Sequence, residues 1–135
     1  MTVRKAKAPQ RQRSARSKAA SIAIKRAYQK PSARDGIRIL IDRLWPRGVS
    51  KTELALDLWP RELAPSTELR KWYGHEPQRF AEFRRRYRRE LAEHKERLAA
   101  LGEMIRGRAA TLVTATREID LSHATVLREI LAAKN

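Results

Sequence analysis

The stretch that decides the fold is Arg38-Ile39-Leu40-Ile41-Asp42-Arg43-Leu44-Trp45-Pro46-Arg47-Gly48. A run of aliphatic residues stops at an acid. A loop follows that holds two arginines, a tryptophan, a proline and a glycine. An apolar run of this length reads as a buried strand. Charges and an aromatic ring set where such a strand ends stand where open α/β sheets usually bind ligands.

Ile22, Ile24, Arg26 and Tyr28 alternate with Ala23, Lys25 and Ala27, which predicts a first strand with one wetter face. Gln29 to Gly36 is polar, with Pro31 and Gly36, and reads as a loop. Ile37 to Asp42 is the second strand. Ser50 and Glu53 have the capping-box spacing and predict a short helix, after which Leu54 to Trp59 suits a short extended piece. Ser66 caps the next helix and Gly74 closes it. Pro77 opens the longest predicted helix, to about Ile105, with a buried stripe of Phe80, Phe83, Tyr87, Leu91, Leu98 and Leu101. Thr111 to Thr116 is the third strand, and a final helix runs over about Ser122 to Ala133.

The link between the second and third strands is long and helical. That is the βαβ form, so these two strands are predicted to be parallel, with a right-handed crossover. Eight residues from Gln29 to Gly36 cannot hold a helical crossover. If the first two strands are neighbours, they are therefore predicted to be antiparallel. The expected fold is a single three-layer α/β domain over residues 21–135, with a small mixed sheet flanked by helices.

Parallel strands end at the same edge of a sheet. Arg43, Trp45 and Arg47 are therefore predicted to meet Arg117, Glu118, Ser122 and His123 there. Guanidinium groups present planar forks of donors that suit phosphate and carboxylate, so Arg43, Arg47 and Arg117 read as an anion pocket. The plainer role for each is an ion pair with Asp42 or Glu118. Trp45 and Trp72 would line the cleft or stack on a ligand, or serve as structural plugs. Asp42 ends an apolar strand and must be paired or protonated if buried. It either orients an arginine or acts as a general base. His123, with Glu118 and Ser122, suits proton handling, or simply caps the last helix. A nucleophilic Ser122–His123 pair has little support, because no glycine-rich elbow is present.

The chain has 135 residues and carries 31 Lys and Arg against 15 Asp and Glu, a formal charge of +16. The excess favours polyanionic partners and has no bearing on the fold. Residues 1–20 hold Arg4, Lys5, Lys7, Arg11, Arg13, Arg16 and Lys18 and no acid. They also lack the apolar surface that would offset ordering, so a disordered basic tail is expected. There is no cysteine, which excludes disulfides and thiolate chemistry and suits the cytoplasm. No apolar run approaches a membrane span. His75 and His94 lack ligand spacing, so no metal is expected. With no Walker loop and no dinucleotide fingerprint, no cofactor is expected either. Arg84-Arg85-Arg86-Tyr87-Arg88-Arg89 reads as a nucleic-acid stripe or as the solvated face of a helix laced by pairs such as Glu82–Arg86.

Asp35 to Gly48, Leu63 to Trp72 and Gly74-His75 resemble the YeaO-like branch of the family catalogued as domain of unknown function 488. The likeness runs from about Ile22 to Leu131. The resemblance implies a small three-layer α/β domain of bacteria and archaea, with no established reaction. The family usually continues its third strand as Ala-Lys-Asp or Ala-Lys-Asn, where this chain has Thr116-Arg117-Glu118. It often ends a second polar cluster in Asn-His-Ala, where this chain has Ser122-His123-Ala124. The longer branch of the family tends to carry cysteines at the positions of Thr114 and Ser122, and its thiol chemistry is not carried over.

Two functions follow as expectations. In the first, a cleft at the strand ends takes a small anionic ligand and serves an enzyme or a sensor. In the second, the tail and the arginine-rich helix bind nucleic acid. Seven tail cations would give log affinity against log salt a slope of up to about −6 on duplex DNA. A chain starting at Ser21, compared with the full chain on one duplex at two salt concentrations, should lose most of that binding. Equal slopes for both chains would move any such role to the arginine-rich helix.

Overall fold

The apolar runs form three strands, β1 (Ile22–Arg26), β2 (Ile37–Leu40) and β3 (Ala110–Thr114). The computed structural model describes residues 22–134, so the tail expected at residues 1–20 lies outside the described residues. Five α-helices are found among the described residues: α1 (Lys51–Leu54), α2 (Thr67–Tyr73), α3 (Phe80–Ala92), α4 (Lys95–Ile105) and α5 (His123–Lys134). None of them is long and apolar enough to cross a membrane.

The strand order is β1-β3-β2, and both pairings are parallel. The βαβ expectation for β2 and β3 holds. The sheet is all parallel rather than mixed, because β1 and β2 are not neighbours. Their link from Ala27 to Gly36 needs no helix. Fully extended it reaches about 30 Å, more than the length of one short strand. It therefore brings the chain back to the starting edge, and β3 inserts between the two. The outer edge of β2 is covered by Asp57 and Leu58, whose amides donate to Arg38 O at 2.9 and 3.1 Å.

Every residue of β3 is buried, as a central parallel strand requires. Its alternation divides the core. Ala110 and Leu112 face one side with Ile22, Ile39 and Ile41, where Phe83, Tyr87 and Leu91 of α3 and Leu127 and Leu131 of α5 pack. Val113 faces the other side with Leu40, Ala27 and Leu54, capped by Trp45 and Trp59. Each such fully buried large side chain contributes about 1.5–3 kcal/mol, so the first layer, with more of them, supplies most of the stability. The second layer is thin, made of the short α1 and two indoles meeting edge to face at 5.5 Å.

The caps follow the sequence. Ser50 Oγ accepts from Glu53 N at 3.1 Å and Glu53 returns the bond to Ser50 N at 2.8 Å. Ser66 Oγ accepts from Leu69 N, and Gly74 closes α2 at φ 53°. The long helix expected from Pro77 to Ile105 is instead two. Glu93 and His94 form a tight turn on the carbonyls of Glu90 and Leu91, which redirects the chain so that Leu98, Leu101 and Ile105 reach the core. Gly102 does not interrupt α4.

Gly36 sits at φ 66° and ψ −135°, a conformation that side chains rarely adopt. A Cβ there would lie 2.1 Å from Ala109 O, the same carbonyl that accepts from Ile37 N at 3.0 Å. Gly48, at φ 80°, has open space around it. Gly36→Ala should therefore lower unfolding stability by at least about 2 kcal/mol, and Gly48→Ala by clearly less, in urea titrations of both variants.

Candidate functional site

The site forms where β2 and β3 stop. Asp42 lies just beyond β2, Thr114 ends β3, and His123 opens α5. Thr114 Oγ1 donates to Asp42 Oδ1 at 2.7 Å and Ala115 N donates to Oδ2 at 2.8 Å. His123 Nε2 lies 2.9 Å from Oδ1. The sequence predicts an arginine or a backbone amide as the partner of Asp42; the Ala115 amide is found, and the side-chain partner is a histidine rather than an arginine. The two side chains are 18 and 13 % exposed. A carboxylate can only accept, so Nε2 carries the proton. That leaves Nδ1 with no partner among the described residues. Burial alone would push the Asp42 carboxyl up. The imidazole, as hydrogen-bond partner and as charge, and the Ala115 and Thr114 donors outweigh burial and hold the carboxyl below its ordinary value.

Around this clasp lies a cavity of about 500 Å³, within the range of small-molecule sites. The loop after β2 supplies Arg43, Leu44, Trp45, Pro46 and Arg47 to its wall, and His123 and Ser122 enter from the start of α5 and the residue before it. Arg43 donates to Pro65 O at 3.2 Å and Ala64 O at 3.1 Å, which ties the loop to the entry of α2. Across from it stand Arg70, Lys71 and His75, which the sequence reading did not assign to the site. They occupy the resemblance block that supplied Trp72. Only the path of α2 over the strand ends turns them inward. Among the described residues, the side chains of Arg47, Arg70 and Lys71 have no hydrogen-bond or ion-pair partner. Asp42 is the one acid on the wall, and its oxygens already accept three bonds.

Three expected members are elsewhere. Arg117 and Glu118 are exposed and do not line the cavity. The chain swings away once Ala115 N is bound to Asp42 and Thr116 O has accepted from Arg26 Nε at 3.2 Å. Trp72 faces a separate hollow between α2 and α3, with the Arg86 guanidinium 4.3 Å and that of Arg79 5.4 Å from its ring centroid. Trp45 is chiefly a plug. Its Nε1 donates to Val49 O at 2.6 Å, and one flank of the indole reaches the cavity. Ser122 Oγ donates to Ile119 O at 2.7 Å and accepts from Ala124 N at 3.1 Å. It caps α5 and is not bonded to His123. On α3 the arginine run is partly neutralised: Arg84 pairs with Glu129, and Arg85 and Arg86 both pair with Glu82.

Asp42→Ala should destabilise the fold by about 2–3 kcal/mol at neutral pH, since it leaves the Ala115 amide and the Thr114 hydroxyl without their acceptor. The native carboxyl titrates below its unfolded value of about 4. The stability tied to its charge is therefore present above that pH and is lost as pH falls through the native value. The gap between wild type and variant should narrow between pH 7 and pH 3 in urea unfolding. An unchanged gap would show that the charge contributes nothing.

A family model described as the inactive DUF488-N3 subclade matches residues 21–135. The chain is 43% identical over 113 residues to the uncharacterised protein Rv3073c of Mycobacterium tuberculosis, covering 82% of this chain and 92% of that one. It is also 43% identical over 111 residues to the uncharacterised protein YeaO of Escherichia coli, covering 82% and 96%. No solved structure matches. The extent of the family match and the identity to these relatives together place the chain in the domain of unknown function 488 family, within its DUF488-N3 subclade.

Proposed function

We propose that this protein binds a small anion, a phosphate or a carboxylate, in the cleft at the strand ends, and that it acts by binding rather than by turnover. One observation carries the reading. Among the described residues, Arg47, Arg70 and Lys71 have no side-chain partner, and they stand around a cavity whose one carboxylate already accepts three hydrogen bonds from the protein. All three are exposed, so they remain hydrated, but gathered on one concave wall they make a positive field that attracts an anion. Arg43 adds a guanidinium held in place by two carbonyls.

Binding without turnover suits the rest of the site. The Ser122 hydroxyl caps a helix, there is no cysteine, and Asp42 is committed to Thr114, Ala115 and His123. The description of the family model as inactive points the same way. The nucleic-acid alternative rests on residues 1–20 together with Arg88 and Arg89, because the other arginines of that run pair with acids.

Inorganic phosphate should raise the melting temperature above that in sodium chloride of equal ionic strength, because a ligand of the native state stabilises it. Arg47 is exposed, so Arg47→Ala should leave the melting temperature without ligand unchanged. It should weaken phosphate binding about tenfold or more, the usual weight of a charge-assisted hydrogen bond. Equal stabilisation by phosphate and chloride would overturn the proposal.

A further inference from the structure

The cleft is larger than its cations require. A bare phosphate or carboxylate would engage only the cations of the wall and leave much of the roughly 500 Å³ empty. Sites of this size enclose drug-sized ligands and bury most of their surface. The remaining wall has a polar side at Asp42 and His123 and an apolar side. Tyr73 and Phe83, stacked with centroids 4.4 Å apart, lie at its base. Both are buried, and the Tyr73 hydroxyl is satisfied by Leu121 O at 2.6 Å. That base therefore offers rings and no free polar group.

The rim is apolar as well. Leu44 is 65 % exposed and Tyr28 is 52 % exposed, two of the three large apolar side chains left most open among the described residues. Both line this cavity, whereas the third, Met104, is on α4 away from it. Tyr28 is held at the rim by its hydroxyl, which donates to Arg47 O at 3.4 Å, and by the Arg26 guanidinium 5.2 Å from its ring centroid. An exposed leucine gains nothing from packing inside the chain. Its position one residue after Arg43, at the mouth of a cationic cleft, gives it something to cover when a ligand is present.

We infer that the cleft takes an amphiphilic anion: one oxyanion group, phosphate or carboxylate, joined to a flat apolar body such as an aromatic ring. The inference rests on the anion-binding proposal and adds the ligand's second half. The oxyanion sits among Arg43, Arg47, Arg70 and Lys71. The ring lies along Leu44 and Tyr28, over the Tyr73 and Phe83 base.

The probes are inorganic phosphate, phenyl phosphate, acetate, benzoate and phenol, titrated calorimetrically into the full chain at constant ionic strength. Phenyl phosphate should bind at least about tenfold tighter than phosphate, or benzoate than acetate, a difference of about 1.4 kcal/mol. Whichever pair shows the gain identifies the oxyanion. The double variant Leu44→Ala, Tyr28→Ala removes exposed side chains only. It should abolish most of that gain, read as the ratio of aryl-anion to small-anion affinity within the variant, so that any effect on the small anion of losing the Tyr28 contact to Arg47 O cancels. If each aryl anion binds only as well as its small counterpart, the inference fails and the anion proposal stands. A gain that survives intact in the double variant also overturns it, since the ring would then lie elsewhere. If phenol binds as tightly as the aryl anions, or if no anion binds, the anion proposal fails and this inference falls with it.

Discussion

The rest of the site depends on the Asp42 carboxylate. It sits where the hydrophobic run of β2 ends, and its two oxygens take donors from β3, from the turn after β3 and from the first residue of α5. Three segments distant in sequence are therefore joined at one charge. Water could satisfy that charge equally well in the unfolded chain, so the net gain per bond is modest. The larger effect is geometric. With Asp42 fixed, the Arg43–Arg47 loop must leave the sheet in one direction, and His123 must present its free nitrogen from one side. The cavity is a consequence of that clasp.

The course of the sheet could be read from local pattern because a central parallel strand leaves a strong signature. Thr111-Leu112-Val113-Thr114 is β-branched at three of its four positions, carries no charge, and follows a long helical segment. The position of β1 could not be read the same way. Nothing in Ile22 to Arg26 records whether its neighbour is β2 or β3, and the absence of a crossover helix misled. Extended chain returns to the starting edge just as well when strands are short. The break at His94 was also hidden, because the apolar stripe from Phe80 to Leu101 keeps a helical period straight through it.

The site divides along the same line. Asp42, Arg43, Arg47 and His123 were recoverable because strand ends and their parallel direction place them. Arg70 and Lys71 come from α2 and His75 from the turn just after it; the docking of α2 is settled by Leu69 and Tyr73 entering the core and by Glu90 of α3 accepting from Ser66 N and Oγ at 2.8 and 2.5 Å. Those are long-range contacts that no local pattern shows. Arg117 and Glu118 failed for the opposite reason. They are adjacent in sequence to a site residue, but the turn that satisfies the Ala115 amide points them to solvent.

Charge is the feature most easily over-read here. Of the formal +16, part is already answered inside the fold. Arg38, a fully charged side chain, is buried in β2 because Asp35 takes one end at 2.6 Å and the Leu54 carbonyl takes the other at 2.7 and 2.9 Å. Glu82 answers two arginines of α3. The cations that matter for binding are the few without such an answer on a concave surface, where low-dielectric walls strengthen their field. Among the described residues, Arg47, Arg70 and Lys71 meet that condition, and the one acid that lines the same cavity accepts from His123, Thr114 and Ala115. Asp42 keeps its negative charge, but its oxygens are turned to Thr114, Ala115 and His123. What it does in the fold is to hold the strand ends and the start of α5 together, and in the proposed binding mode the three cations are left to meet the anion.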